Sequence, residues 1–219
     1  MDYSILDHFI AHIISAPDHL NPPPTLVTTQ RADGGTKSDL RFGMNDGLWN
    51  MIQRTSSLHA RSRTRAINHS TTITEAVGIW QDLDHWQPPD TLPVPEYQDL
   101  YDSYSSAIFT WLYLILHPDS MGDEKVQAMV ERGLTDMSAV TVQDLFPFLL
   151  IPLFIHGLAS VQEEHRDFVS SFLDHIEENG PYDHAEVYRT MVEQSWDNQD
   201  QGMRRSWEWI QWGVTDSVG

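Results

Sequence analysis

Few side chains in this sequence could move a proton or hold an ion, and they fall into three groups. His156 sits inside the longest apolar run, Phe146 to Leu158, and is followed directly by Gly157. Glu163, Glu164, His165 and Asp167 cluster just after that run. A carboxylate beside an imidazole can pass a proton, so His156, Glu164 and His165 are the residues that would carry chemistry if the chain were an enzyme. The structural reading is favoured for both groups. A histidine in an apolar run is expected to be a core residue bonded to a backbone carbonyl. Glutamates that open a helix complement the positive end of its dipole. The third group is His8 and His12, whose spacing of four can place two imidazoles on one metal ion. No third ligand shares their face, and the glutamate that follows the first histidine of a protease helix is missing, so a surface pair and no metal site are expected.

The sequence excludes other chemistries outright. It contains no cysteine, which removes disulfides, thiolate zinc sites, iron–sulfur clusters and cysteine nucleophiles. No nucleophile elbow, phosphate-binding loop or dinucleotide glycine pattern occurs, and no cofactor is expected. Formal net charge is −19 and unevenly spread: residues 1–65 sum to +1, and the remainder to −20. So acidic a body repels a phosphate backbone, and direct nucleic-acid binding is not expected. The basic island from Arg54 to Arg65 reads as a solvated helix end. No secretory signal pattern opens the sequence, and the apolar run is too short to span a bilayer, so a nuclear or cytoplasmic protein without a membrane partner is expected.

Helices must position these residues. A first helix over 3–16 carries Ile5, Phe9 and Ile13 on one stripe, and residues 17–43, with three consecutive prolines (22–24) and Gly34-Gly35, form a flexible loop. Helical spacing continues over 44–59 and over 72–86, where Ile73, Val77, Trp80 and Leu83 are placed for one buried face. The clearest helix spans 96–117. A short one covers 123–134, Thr141 is placed to cap the next, and the apolar run is expected to break at Pro147 or Pro152. Amphipathic helices over 162–178 and 182–196 flank Asn179-Gly180-Pro181, and a tryptophan-rich turn of helix over 203–213 ends the pattern. No alternating strand pattern appears, so the fold class is all-α, an irregular multi-helix bundle forming one domain over 44–219. Its tryptophans can line a cavity as well as pack, and Trp111, Phe148, Phe154 and His156 are the candidate lining of an apolar pocket.

Several blocks, in order, are similar to one family. Asp46-Gly47-Leu48-Trp49 matches its early helix, and Ile79 to Pro88 its "L-x-x-W-x-P" helix end. Tyr104, Ala107 and Trp111-Leu112 fall on its "Y-x-x-A-x-x-x-Y-L" helix. Pro152-Leu153-Phe154-Ile155-His156-Gly157 matches its "P-L-F-I-A-G" block, and Arg166 stands where an arginine is common. Glu186 to Trp196 matches its last helix and Trp207 to Trp209 its tryptophan-rich end. The chain thus resembles the fungal-specific transcription factor domain found beside binuclear zinc clusters, in the branch that includes sterol-responsive regulators. The six cysteines of that DNA-reading cluster are missing here, and histidine replaces the usual small residue before Gly157. The resemblance implies an all-α regulatory domain that senses a small apolar effector or contacts other proteins, as a homodimer or as a heterodimer with a zinc-cluster regulator. It transfers no catalytic residue. The alternatives are an enzyme of secondary metabolism using the bundle as an apolar substrate pocket, and a scaffold that pairs with a full-length regulator.

Overall fold

The computed structural model describes residues 47–88, 92, 94–179 and 183–202. The helix expected over 3–16, the loop over 17–43 and the tryptophan-rich end over 203–213 lie outside them. Seven α-helices and no strand occur among the described residues: α1 (Leu48–Arg63), α2 (His69–His85), α3 (Glu96–Leu116), α4 (Glu124–Ala139), α5 (Phe146–Ala159), α6 (Glu163–Asn179) and α7 (Asp183–Asp200), with a 3-10 turn at Gln143–Leu145 before α5. The protein is an all-α, single-domain bundle.

Local chemistry sets the helix ends. Gly47 precedes α1 at φ 89, a left-handed conformation that suits glycine. α1 closes on a residue that is not glycine: Arg65 has φ 55, Ala66 N–H donates to Arg61 O at 3.0 Å, and Arg65 N–H donates to Ser62 O at 3.4 Å. Asn68 caps α2 by accepting from Thr71 N–H at 2.9 Å, which starts the helix three residues earlier than the apolar spacing predicts. Thr141 does not cap the 3-10 turn; Val142 occupies that position without a side-chain bond.

The first three helices alternate in direction. Arg61 pairs with Glu75 and Arg54 with Asp82, so α1 and α2 run antiparallel. Trp80 meets Phe109, and Trp86 meets Tyr101, which sets α3 antiparallel to α2. α3 is central and packs on α1, α2, α4 and α5, burying Leu100, Ile108, Trp111 and Leu114 completely. Each such side chain contributes about 1.5–3 kcal/mol on leaving water. α5 is the second core element, packed on α3, α4, α6 and α7.

Two expectations are corrected. The apolar run does not break at proline. α5 continues through Pro152, whose missing N–H would have bonded the carbonyl of Phe148. The Tyr104 hydroxyl donates to that carbonyl instead, at 2.6 Å, so α3 supplies the bond that α5 cannot make for itself. Pro147 stands at the start of the helix, where no intrahelical N–H is needed. The buried face of α2 also differs from the predicted one. Thr72, Ala76 and Ile79 face the core, while Ile73, Val77 and Trp80 are 40%, 38% and 50% exposed.

Candidate functional site

α5 gathers the polar chemistry of the interior. His156 is fully buried, and its Nε2 lies 3.1 Å from Ser106 Oγ on α3. The Ser106 hydroxyl has one proton and donates it to the Ser103 carbonyl at 2.9 Å. It therefore accepts from His156, which fixes the proton on Nε2 and leaves Nδ1 a bare acceptor. Nδ1 has no hydrogen-bond partner among the described residues. Burial pushes the imidazole down to about 4; the nearby Ser103 carbonyl opposes the shift and His165 adds to it. The ring lies against α4 at Gly133, where a side chain would collide with it: a Cβ there would be 2.1 Å from Nε2.

One turn later, α5 ends in a polar latch. The last carbonyls of a helix have no partner within it and must find one elsewhere. The carbonyl of His156 accepts from Ser160 Oγ at 2.8 Å, and that of Gly157 from Trp196 Nε1 at 2.8 Å. Leu158 O accepts from Gln199 Nε2 at 3.1 Å, and Ala159 O from Gln127 Nε2 at 2.8 Å. Ser160 O accepts from Arg166 Nε at 3.3 Å. Arg166 also reaches Asp200 and Gln199, and its guanidinium lies 5.4 Å from the Trp196 ring centre. Gly157 permits the close approach, since a Cβ there would sit 3.1 Å from Val169 and 3.2 Å from Val192. Side chains of α4, α6 and α7 thus converge on one helix end.

The structure separates the proposed catalytic set. His156 and His165 are both buried, and His165 is near enough to act on the charge of His156. Glu164 is exposed, whereas its neighbour His165 is buried. Among the described residues, no three histidine, aspartate or glutamate side chains cluster closely enough to hold a metal ion. His8 and His12 lie outside those residues.

The four candidate pocket residues are tied individually into the core. Trp111 Nε1 donates to His59 Nδ1 at 2.8 Å, and burial with the adjacent Arg63 charge pushes His59 down to about 3. Phe154 packs on Tyr188 with ring centres 4.8 Å apart. Phe148 is half-buried and offers its carbonyl to Tyr104. His59, Gln127 and Gly133 carried no site motif in the sequence. A glycine inside a helical pattern was the one available signal of close approach at 133.

Tyr104, the Pro152–Gly157 block, Arg166 and Trp196 are the residues that let α5 pass a proline and then close its end. The sequence pattern that defines the fungal specific transcription factor domain matches residues 15–216, so the chain belongs to that family and has a role in transcription regulation. No curated protein and no solved structure matches the chain. No helix among the described residues is long and apolar enough to cross a membrane.

Proposed function

We propose that this chain is the effector-sensing part of a fungal transcription regulator acting in the nucleus. The observation that supports sensing is the convergence of Gln127, Arg166, Trp196 and Gln199 on the end of α5. A small apolar effector accommodated beside Trp111, Phe148, Phe154 and His156 would press on α5. It would thereby bias all four latch residues at once, making the α6–α7 pair the moving part. The bare Nδ1 of His156 supplies one polar fixture for a hydroxyl or amide on an otherwise apolar molecule. An effector shifts the balance only by its difference in affinity between latched and released states. With a net charge of −19, contact with DNA falls to a partner, either a zinc-cluster regulator or another chain bound to one.

The chain fused to a heterologous DNA-binding module tests this in a fungal reporter strain, alongside thermal melting of the purified chain with a panel of apolar hydroxylated metabolites. Reporter output should depend on the fusion, and at least one compound should raise the melting temperature in a way that His156→Ala abolishes. A silent fusion with no stabilising compound would sink the proposal. Turnover of an apolar substrate by the purified chain would point instead to an enzyme of secondary metabolism.

A further inference from the structure

Three of the four α2 residues that the sequence predicts to be buried lie open, while Leu83 packs on the core, and the open stripe is continuous with aromatic side chains of α3. Ile73, Val77 and Trp80 follow one another at helical spacing and are 40%, 38% and 50% exposed. Trp80 sets its edge on Phe109 with ring centres 5.5 Å apart, and Phe109 stacks along α3 on Tyr113 at 6.4 Å. Isolated exposed apolar residues are ordinary, but these three at helical spacing, continued by the half-buried Phe109 and Tyr113 of the adjacent helix, form a patch. Ile73 to Trp80 spans about 10 Å at the usual rise per residue, the length of two turns of a docked helix.

Charge decides what such a helix would be. Asp84 lies exposed one turn beyond Trp80. At the other end, Tyr113 Oη donates to Asp123 at 3.4 Å, and Asp119 is exposed nearby in sequence. The neighbouring cations Arg61 and Arg54 lie on the α1 side and are paired with Glu75 and Asp82. A second copy of the chain would bring a further charge of −19 against this acidic frame. The chain's own residues 1–46 carry three basic and six acidic side chains and are no better matched. We infer that the α2–α3 seam, with Ile73, Val77 and Trp80 as its apolar floor and aspartates at both ends, is a docking site for a cationic amphipathic helix of a partner protein. The inference stands on this surface and does not depend on effector sensing.

A fluorescein-labelled helical peptide with leucines at three- and four-residue steps and lysines elsewhere tests it by anisotropy against the full chain. A scrambled peptide of the same composition serves as the charge control. The ordered peptide should bind, weaken as salt rises, and bind about tenfold less well to a Val77→Ser/Trp80→Ser variant. Both positions are substantially exposed, so the variant should keep its helical circular dichroism; if it does not fold, Trp80→Ser alone replaces it. Three results would overturn the inference. These are no binding of the ordered peptide, equal binding of the scrambled one or of the variant, and a concentration-dependent dimer in sedimentation that the substitutions dissolve, which would assign the face to a second copy.

Discussion

The His156 imidazole lies in the space that a side chain on Gly133 would need. A Cβ at 133 would be 2.1 Å from Nε2, 2.5 Å from Cε1 and 2.6 Å from Cδ2. The ring cannot swing away, because Ser106 holds it and it is fully buried. Gly133→Ala should therefore destabilise the protein by about 3 kcal/mol or more, at the upper end of overpacking costs. His156→Ala should also destabilise it, by leaving a cavity. The double variant should recover part of the loss, since the new methyl enters the vacated space, with a coupling of about 1–3 kcal/mol in a denaturation cycle. Strict additivity would show that the two positions do not share this space.

The same burial makes stability depend on pH. His156 is held down to about 4 and His59 to about 3, against an ordinary value near 6.5, chiefly by burial. Between those values and 6.5 the unfolded chain binds more protons than the folded one, so stability is fully present above 6.5 and drains away as pH falls. At about 1.4 kcal/mol per unit, the loss is roughly 3 kcal/mol for His156 and somewhat more for His59. Asp136 acts in the opposite sense. Burial raises its carboxyl to about 6, with Asp102 and Asp99 adding to the shift and Arg132 opposing it. Its contribution is greatest at acid pH and declines as pH rises from 3.8 through about 6. Asp136→Asn should stabilise the protein at neutral pH by up to about 1 kcal/mol, given the group's partial exposure. It should also steepen the acid loss. Urea melts at pH 4.5, 6 and 7.5 check both signs.

The latch on α5 should behave as one unit. Gln127→Leu leaves the carbonyls of Met121 and Ala159 and the N–H of Val161 without the bonds that Gln127 makes, at about 1–3 kcal/mol for each group left buried and unpaired. Trp196→Phe keeps most of the ring but removes one of the two donors to Gly157 O, leaving Ser160 N–H at 3.1 Å, and costs about 0.5–1.5 kcal/mol. Arg166→Lys keeps the charge but loses the fork that reaches Ser160, Asp200 and Gln199 together. Each variant should raise amide exchange through α6 and α7, and the Gln127 and Trp196 effects should be non-additive. Exchange confined to the mutated turn would mean that the carbonyls are capped independently.

How much of this could be read in advance depended on whether the deciding group was local. The span of α3 was legible to within one residue, because its apolar spacing lies within the segment and His117-Pro118 directly ends it. Continuity at Pro152 was not, since the hydroxyl that replaces its missing N–H belongs to Tyr104, 44 positions before the carbonyl it serves. On α2, two stripes ran side by side, and the larger residues drew the prediction. The stripe of Thr72, Ala76 and Ile79 took the interior. His156 was legible as a core histidine, but not its partners Ser106 and Gly133, which come from other helices.

The end of α1 offers a gain in stability. Arg65 adopts φ 55 so that the N–H groups of Ala66 and Arg65 can close on Arg61 O and Ser62 O. This is the position where helices usually place glycine, because a side chain in the left-handed region costs about 1 kcal/mol. Arg65 is exposed, and no ion pair to a carboxylate is formed there among the described residues. Arg65→Gly removes the conformational cost in the folded state and adds some freedom to the unfolded one. The net expectation is a stabilisation of about 0.5–1 kcal/mol, with no change in the denaturant slope. Arg65→Val should do the reverse, because a β-branched side chain tolerates the left-handed region least. If the glycine variant melts at lower denaturant than the parent, the left-handed closure of α1 is not the conformation held in solution.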